Sequence, residues 1–518
     1  MTQDEQLLST SKDYQGLDTI AKGGVINMVG WFAFLLFGYV FQFIIARALG
    51  PSDVGIINLS ITIVTLVLLF ALFGLDQAIV RFIGHYIGVE DPTHESGVIK
   101  SAIGSFFLIA LILTPLFWFA SEYIGIRVFK EPGLVPVMKI LTLWLPLTGF
   151  VRLFLAVAQS YKQVEYKVIV EQIGIPLVKI AGTLILFWIV GFQTTSVAYA
   201  ILFSSIIGFG FSILVARRFY ESHKSEEKVA LINRDLLLFA WPIMLTGFIT
   251  RTSVQTETLV LGGLTSSYQV GIYSISFKIT VLITAFLNAL NIIFAPIISE
   301  LYAKGSMERL AFQFKTVTRW AFTLALPVTL IMIEAAPECL AVFGPEFVPG
   351  ARILQVLALS QLVFVITGPV GLMLSMTKYP HINMFNALIA LIVSVSLSFL
   401  LIPEYGAMGA AVAGGITISL INLMRIIEVY VIFHIHPYGW NYLKPLVAGL
   451  VAMVVGLAMS IFSEEYFYLF RLIILSAAIF GTYFVIIYVL GWDKADREVF
   501  LIMQKKLTSI HRFKRVKF

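Results

Sequence analysis

Long uninterrupted apolar runs constrain this chain more than any other feature. A helix needs about 20 apolar residues to cross the hydrocarbon layer of a membrane. Fourteen such stretches follow one another, at 23–48, 54–84, 97–120, 134–160, 167–190, 195–216, 235–262, 270–302, 316–343, 350–376, 382–402, 407–433, 442–462 and 468–491. The runs are continuous rather than ten-residue alternations, which excludes a β-barrel. Hydrophobic residues make up 59% of the 518 and charged residues only 13%, where a soluble domain has about a quarter charged. The expected fold is an all-α integral membrane protein with 14 transmembrane helices.

Several classes drop out at once. A net charge of +6, scattered among apolar runs, is no nucleic-acid surface. The single cysteine, Cys339, allows neither a disulfide framework nor a cysteine zinc site. The first twenty residues are polar and lack the basic start, apolar core and cleavage site of a signal peptide. The N-terminus is therefore expected to stay on the side where it was made.

Lys and Arg set the orientation of such a chain. With the N-terminus inside, inner segments carry 25 Lys/Arg and outer loops 6, when charges at span ends are counted with the adjoining loop. The remaining five, Arg152, Lys179, Arg251, Lys278 and Arg425, fall inside spans. Both termini are thus placed in the cytoplasm and the protein in the cell membrane. The basic tail HRFKRVKF (511–518) is expected to sit against anionic lipid headgroups.

The stretch RRFYESHKSEEKVALINRD (217–235) is the most polar internal segment and separates six spans from eight. The two sides resemble each other. Val54-Gly55-Ile56-Ile57-Asn58-Leu59-Ser60 aligns with Val270-Gly271-Ile272-Tyr273-Ser274-Ile275-Ser276, and Val128-Phe129 with Val342-Phe343, at offsets of 216 and 214 residues. Six spans is an even number, so the repeat is parallel, with a pseudo-two-fold along the membrane normal. The expected organisation is an N-terminal segment (1–22), an N-lobe of spans 1–6 (23–216), a linker (217–234), a C-lobe of spans 7–12 (235–433), two added spans (434–491) and the basic tail (492–518).

Enzyme signatures are missing. There is no GxSxG, HExxH, DxD or Walker A sequence, and the loops are short. His434 and His436, one residue apart, lack a third ligand nearby and read as structural rather than metal-binding. The Gly/Asp/Arg-rich signature of major-facilitator carriers is absent from HYIGVEDPTHESG (85–97).

Four segments carry a family resemblance. They are ARALGPSDVG (46–55), TETLVLGGLTSSYQVGIYSISFKI (256–279), VFGPEFVPGARILQVLAL (342–359) and PEYGAMGAAVAGGITISLIN (403–422). In order, and over essentially the whole chain, the sequence resembles polysaccharide transporters of the multidrug/oligosaccharidyl-lipid/polysaccharide exporter superfamily. Fourteen spans fit its oligosaccharide-lipid flippases, including lipid II and O-antigen-unit flippases, better than its twelve-span multidrug exporters. The resemblance implies two six-helix lobes around a central cavity. It implies a prenyl-diphosphate oligosaccharide as substrate, turned across the bilayer by alternating access for cell-surface polysaccharide assembly. It also implies Na⁺ or H⁺ as a coupling ion with no other cofactor, and a monomer working beside a glycan polymerase or other assembly proteins. Glu257 stands where many relatives have Asp, which keeps a carboxylate but leaves the ion open.

Ionisable residues inside spans are unfavourable and usually face a wet or protein-lined interior. Arg152 and Lys179 lie roughly 15–18 Å along a helix from Lys162 and Lys167, near mid-depth. Arg251 and Lys278 fall in the outer halves of spans 7 and 8. These four are the candidate substrate-binding residues, since a diphosphate carries negative charge where they would help. Glu257, Glu171 and Glu334 are candidates for ion coupling. The competing reading is that these carboxylates pair with the four cations and only hold helices together. Asp76 with Arg81 reads as an interfacial ion pair, and Trp241 reads first as a packing aromatic, with sugar stacking as the alternative. Two other functions are carried alongside: a cation-coupled multidrug exporter, which would want an acidic cavity, and a membrane glycan polymerase, which would want larger outer loops.

Overall fold

The structure is a computed structural model that describes residues 3–222, 233–462 and 466–491, with side chains over 26–221, 234–462 and 466–491. Most of the expected linker and the whole basic tail lie outside the described residues, as do the side chains of the N-terminal segment. The described chain is helical throughout. The helices are α1 (Gln3–Leu72), α2 (Leu75–Gly88), α3 (Pro92–Tyr123), α4 (Leu134–Ser160), α5 (Glu165–Ile189), α6 (Thr194–Ser222), α7 (Asn233–Leu264), α8 (Ser267–Ala303), α9 (Met307–Glu334), α10 (Pro345–Thr367), α11 (Pro380–Phe433), α12 (Trp440–Phe462) and α13 (Tyr468–Val489). Among the described residues, twelve helical segments are long and apolar enough to cross a membrane. The protein is therefore an all-α, multi-pass membrane protein.

Two of the twelve segments, Ile26–Gly88 and Pro380–Phe433, run for 63 and 54 residues. Each is broken inside. In α1, Gly50 takes φ 77° and ψ 179° immediately before Pro51. An L side chain disfavours that backbone, and Pro51 has no N–H to continue the ladder. In α11 the break is Gly406, at φ 55° and ψ −132°. There the freed N–H of Ala407 donates to Gln269 Oε1 at 2.8 Å, so a side chain satisfies what the helix no longer can.

The chain divides into two compact units. The first comprises Met1–Lys278, Val342–Ile353 and Met384–Thr417. Its centre is α4, which packs against α6 through Phe150, Phe154 and Phe209, with ring centroids 5.9–6.0 Å apart. Helix α5 begins with a wide π-helical turn, Val168–Gly174. Pro176 explains it: without an N–H it gives no bond to the carbonyl four residues back, and the ladder steps to five. Gly174 fits the crowding, since a Cβ there would lie 2.9 Å from the Ile169 carbonyl oxygen.

The first unit also holds a contact related by sequence. A Cβ on Gly55 would fall 1.8 Å from the carbonyl oxygen of Ser267, and one on Gly271 would fall 1.9 Å from that of Pro51. Gly55 to Gly271 and Pro51 to Ser267 are the same offset of 216 residues. The contact is thus reciprocal, residue i on j′ and j on i′, as two-fold contacts are. Only glycine lets the backbones approach this closely.

The second unit comprises Ile279–Ala341, Leu354–Asn383 and Ile418–Phe518. Its core gathers Phe294, Ile298, Leu310, Phe314, Val370, Met373, Val429 and Phe433. Helix α12 packs against α9 at two glycines, with Gly449 against Leu326 and Gly456 against Glu334. Arg471 Nη1 meets the buried Glu338 Oε1 at 3.1 Å. This ties α13 to the short turn after α9.

Candidate functional site

The first unit contains a cavity of about 650 Å³ lined by Asp76, Gln77, Val80, Arg81, Arg152, Ala156, Gln159, Lys167, Glu171, Phe239 and Ile243. Helical periodicity places these residues. Residues four apart share a face of a helix, and Gln77/Arg81, Arg152/Ala156, Lys167/Glu171 and Phe239/Ile243 are such pairs, one pair from each of four helices. Gln159 extends the α4 stripe by one turn. The pair 167/171 spans the start of the π-helical turn, a feature often found at functional sites.

The lining carries three cations, Arg81, Arg152 and Lys167, against two carboxylates, Asp76 and Glu171. Arg152 Nε lies 3.6 Å from Glu171 Oε1, too long for a hydrogen bond, and this buried nitrogen has no hydrogen-bond partner. The guanidinium is held in charge contact and keeps donor capacity. Lys167 Nζ donates to Gln159 Oε1 at 3.3 Å. The Arg81 guanidinium sits 4.1 Å from the centre of the Phe239 ring, a cation–π contact that holds the charge without consuming its hydrogens.

The four cations named from sequence gather in two pairs. Arg251, exposed, lies close enough to Arg152 for the two charges to act on each other. Lys179 and Lys278 are coupled in the same way. The Lys179 ammonium stands 4.0 Å from the Phe41 ring centre. Lys278 Nζ donates to Gln42 Oε1 at 2.5 Å and to Asn58 Oδ1 at 2.7 Å. Like charges brought together at low dielectric repel, and an anion relieves that repulsion.

The three carboxylates divide. Glu171 lies in the cavity beside Arg152. Glu257 is buried and accepts from Ser394 Oγ at 2.9 Å, with Gly414 packed against it. Glu334 stands in the second unit, and neither carboxylate oxygen has a hydrogen-bond partner among the described residues. The reading in which all three pair with the four cations thus holds only for Glu171.

One smaller expectation needs correction. Asp76 and Arg81 form no ion pair: Arg81 lies over Phe239, and Asp76 Oδ1 accepts from the Gln77 N–H at 2.9 Å. Residues five apart lie about 140° apart around a helix, which prevents direct pairing. Trp241 is not part of the lining. Phe239 and Ile243 take that face, and a residue midway between them points elsewhere. Sequence reasoning missed Gln77, Gln159 and Lys167 as site residues. The i, i+4, i+7 stripe from Arg152 to Gln159 was the available signal. Among the described residues, no three His, Cys, Asp or Glu come together as a metal site.

A polytopic helical protein with a charged cavity among its long apolar helices is built as membrane transporters are. The comparisons specify which. The family described as "Polysaccharide biosynthesis protein" matches residues 20–302, and MatE matches residues 242–400. The chain belongs to the polysaccharide biosynthesis protein family, within the multidrug/oligosaccharidyl-lipid/polysaccharide exporter superfamily. It is 24% identical to the capsular polysaccharide biosynthesis protein CapF of Staphylococcus aureus, over 76% of this chain and 93% of that one. To stage V sporulation protein B of Bacillus subtilis it is 22% identical, over 89% and 94%. Its fold matches the lipid II flippase MurJ in an inward closed conformation, with TM-score 0.72 and 14% identity, over 89% of this chain and 98% of that one.

Proposed function

We propose that the protein translocates a prenyl-diphosphate-linked oligosaccharide across the cell membrane by alternating access, for cell-surface polysaccharide assembly. The observation that carries this reading is the cavity lined by Arg81, Arg152 and Lys167, with Arg251 nearby. Its volume lies within the range of small-ligand sites, and its cations outnumber its carboxylates. A diphosphate is attracted there by charge, and the guanidinium fork suits phosphate geometry. The names of CapF and MurJ point the same way. An exporter of cationic drugs, which the MatE match brings to mind, would want the opposite polarity. Glu257, buried with Ser394, is the group we assign to Na⁺ or H⁺ coupling, with Glu334 as the further candidate, while Glu171 tempers the charge of Arg152.

The arrangement proposed with it has fourteen crossings, the breaks at Gly50 and Gly406 each separating two, and both termini cytoplasmic. At about 1.5 Å per residue, the 63-residue segment Ile26–Gly88, which also turns at Phe73–Gly74 between α1 and α2, is too long for a single crossing. The reciprocal Gly55/Gly271 contact supports a two-fold repeat, and six spans in the first half, an even number, make that repeat parallel. Cysteines at Ser52 and Ser266 should react with an impermeant reagent from outside, and one at Ser225 should not. The inverse pattern would overturn the orientation.

Binding tests the substrate class. The purified protein should bind a short-chain prenyl diphosphate at least tenfold more tightly than the matching prenyl alcohol, and the difference should shrink with salt. Equal affinity for the two would reject the charged cavity as the headgroup site.

A further inference from the structure

We propose that Gln42, Asn58 and Lys278 form a second anion station, separate from the Arg152 cavity, in which two side-chain amides hold the lysine through their oxygens and turn their N–H groups to an anionic phosphate when one binds. The proposal rests on the flippase reading for the identity of the natural ligand.

The station is built by long-range contacts in the first unit. Tyr39 and Gln42, one turn apart on α1, both reach Lys278. The Tyr39 hydroxyl donates to the Lys278 carbonyl oxygen at 2.6 Å, and Gln42 Oε1 accepts from the ammonium at 2.5 Å. Asn58, past the break at Gly50, supplies the second acceptor at 2.7 Å. Gln42 is 2% exposed and Asn58 7%. An amide facing an ammonium must present its oxygen, because two donors repel. The amide nitrogens are then turned away, and both Gln42 Nε2 and Asn58 Nδ2 are buried with no hydrogen-bond partner.

Unmade donors in a buried site are unfavourable, and two around one ammonium are not an efficient way to solvate a lysine. A carboxylate at either position would neutralise the charge with no orphan donor. What an amide offers instead is a second orientation. Rotated by half a turn, it presents N–H groups in place of its oxygen. An anion beside Lys278 would then receive donors from the ammonium and both amides. Lys179, on Phe41 beside Gln42 and coupled to Lys278, adds positive charge on the same side. The chemistry fits a phosphate or diphosphate group.

Replacing the amides with acids separates the two roles. Asn58→Asp and Gln42→Glu keep the shape and pair Lys278 more strongly, but they supply no N–H and repel an anion. If the amides only stabilise a buried lysine, both variants transport normally and are at least as stable as wild type. If they form an anion station, headgroup translocation falls at least tenfold while the melting temperature is unchanged or raised. Inorganic pyrophosphate, titrated onto the wild-type protein, should occupy two sites. Arg152→Ala should leave one and Asn58→Asp should leave the other. A single wild-type site, abolished by Arg152→Ala and untouched by Asn58→Asp, overturns the proposal even if an acid variant fails to fold. Two pyrophosphate sites in a protein that moves no prenyl-linked glycan would keep the station and reject the flippase reading.

Discussion

Gly55→Ala and Gly271→Ala should each abolish transport, and to a similar degree. Each added methyl group meets a backbone carbonyl oxygen, 1.8 Å away in one case and 1.9 Å in the other, where real Cβ contacts essentially never fall below 3.0 Å. No rotamer relieves a clash with backbone, so the helices must separate by more than an ångström. Overpacking of this kind costs about 3 kcal/mol. The crossing joins Pro51 and Ser267 to the two glycines at the same 216-residue offset, so equal defects are expected from the two sides. Gly84 and Gly104, with nothing within 4 Å of an added Cβ, are the controls. Alanine there should be neutral or stabilise by about 0.5–1 kcal/mol, as in any helix interior. The measurement is thermal unfolding in detergent alongside transport. Wild-type stability in Gly55→Ala would show that the crossing is looser than described.

The second large effect is expected at Arg152. Arg152→Ala should reduce translocation at least tenfold, and Arg251→Ala should act in the same direction, while Glu171→Gln should leave transport within a few-fold of wild type. The contrast distinguishes two roles for one ion pair. Where a pair only holds helices together, removing either partner strands the other and the two variants suffer alike. Where the guanidinium binds an anion and the carboxylate tempers it, only the arginine is essential. The 3.6 Å separation and the unpartnered Nε favour the second role. Translocation per folded protein, with folding checked by size-exclusion chromatography, reads the difference. Equal losses in Arg152→Ala and Glu171→Gln would assign the pair to structure.

Much of this was legible in the sequence because it depends on local rules. Apolar runs of membrane length mark the helices, and Gly50-Pro51 marks a break. The paired VGI segments mark the positions that meet at the Gly55/Gly271 crossing. In-span cations are expensive wherever they fall, so Arg152, Lys179, Arg251 and Lys278 stood out without a structure. What stayed hidden depends on partners distant in sequence. Gln42 and Asn58 are 236 and 220 residues from Lys278, and nothing in either neighbourhood points to the other. The π-helical turn before Pro176 shifts the register by one residue, which no ideal period anticipates. Asp76 and Arg81 looked like a pair because five residues is a short distance along a chain. Around a helix it is not, and Phe239 of another helix took the guanidinium instead. Glu334 was legible as a buried carboxylate, but its position against Gly456 on α12 was not.

On this mechanism the charged head group crosses the membrane through the protein. The direct measurement uses sealed proteoliposomes with a fluorescent prenyl-diphosphate oligosaccharide confined at the start to one leaflet, and a glycan-cleaving enzyme added to the other side. Protein-dependent exposure of the glycan to the enzyme, lost in Arg152→Ala, is the expected result. Glycan that stays protected in vesicles holding folded wild-type protein, under either an Na⁺ or an H⁺ gradient, would contradict it.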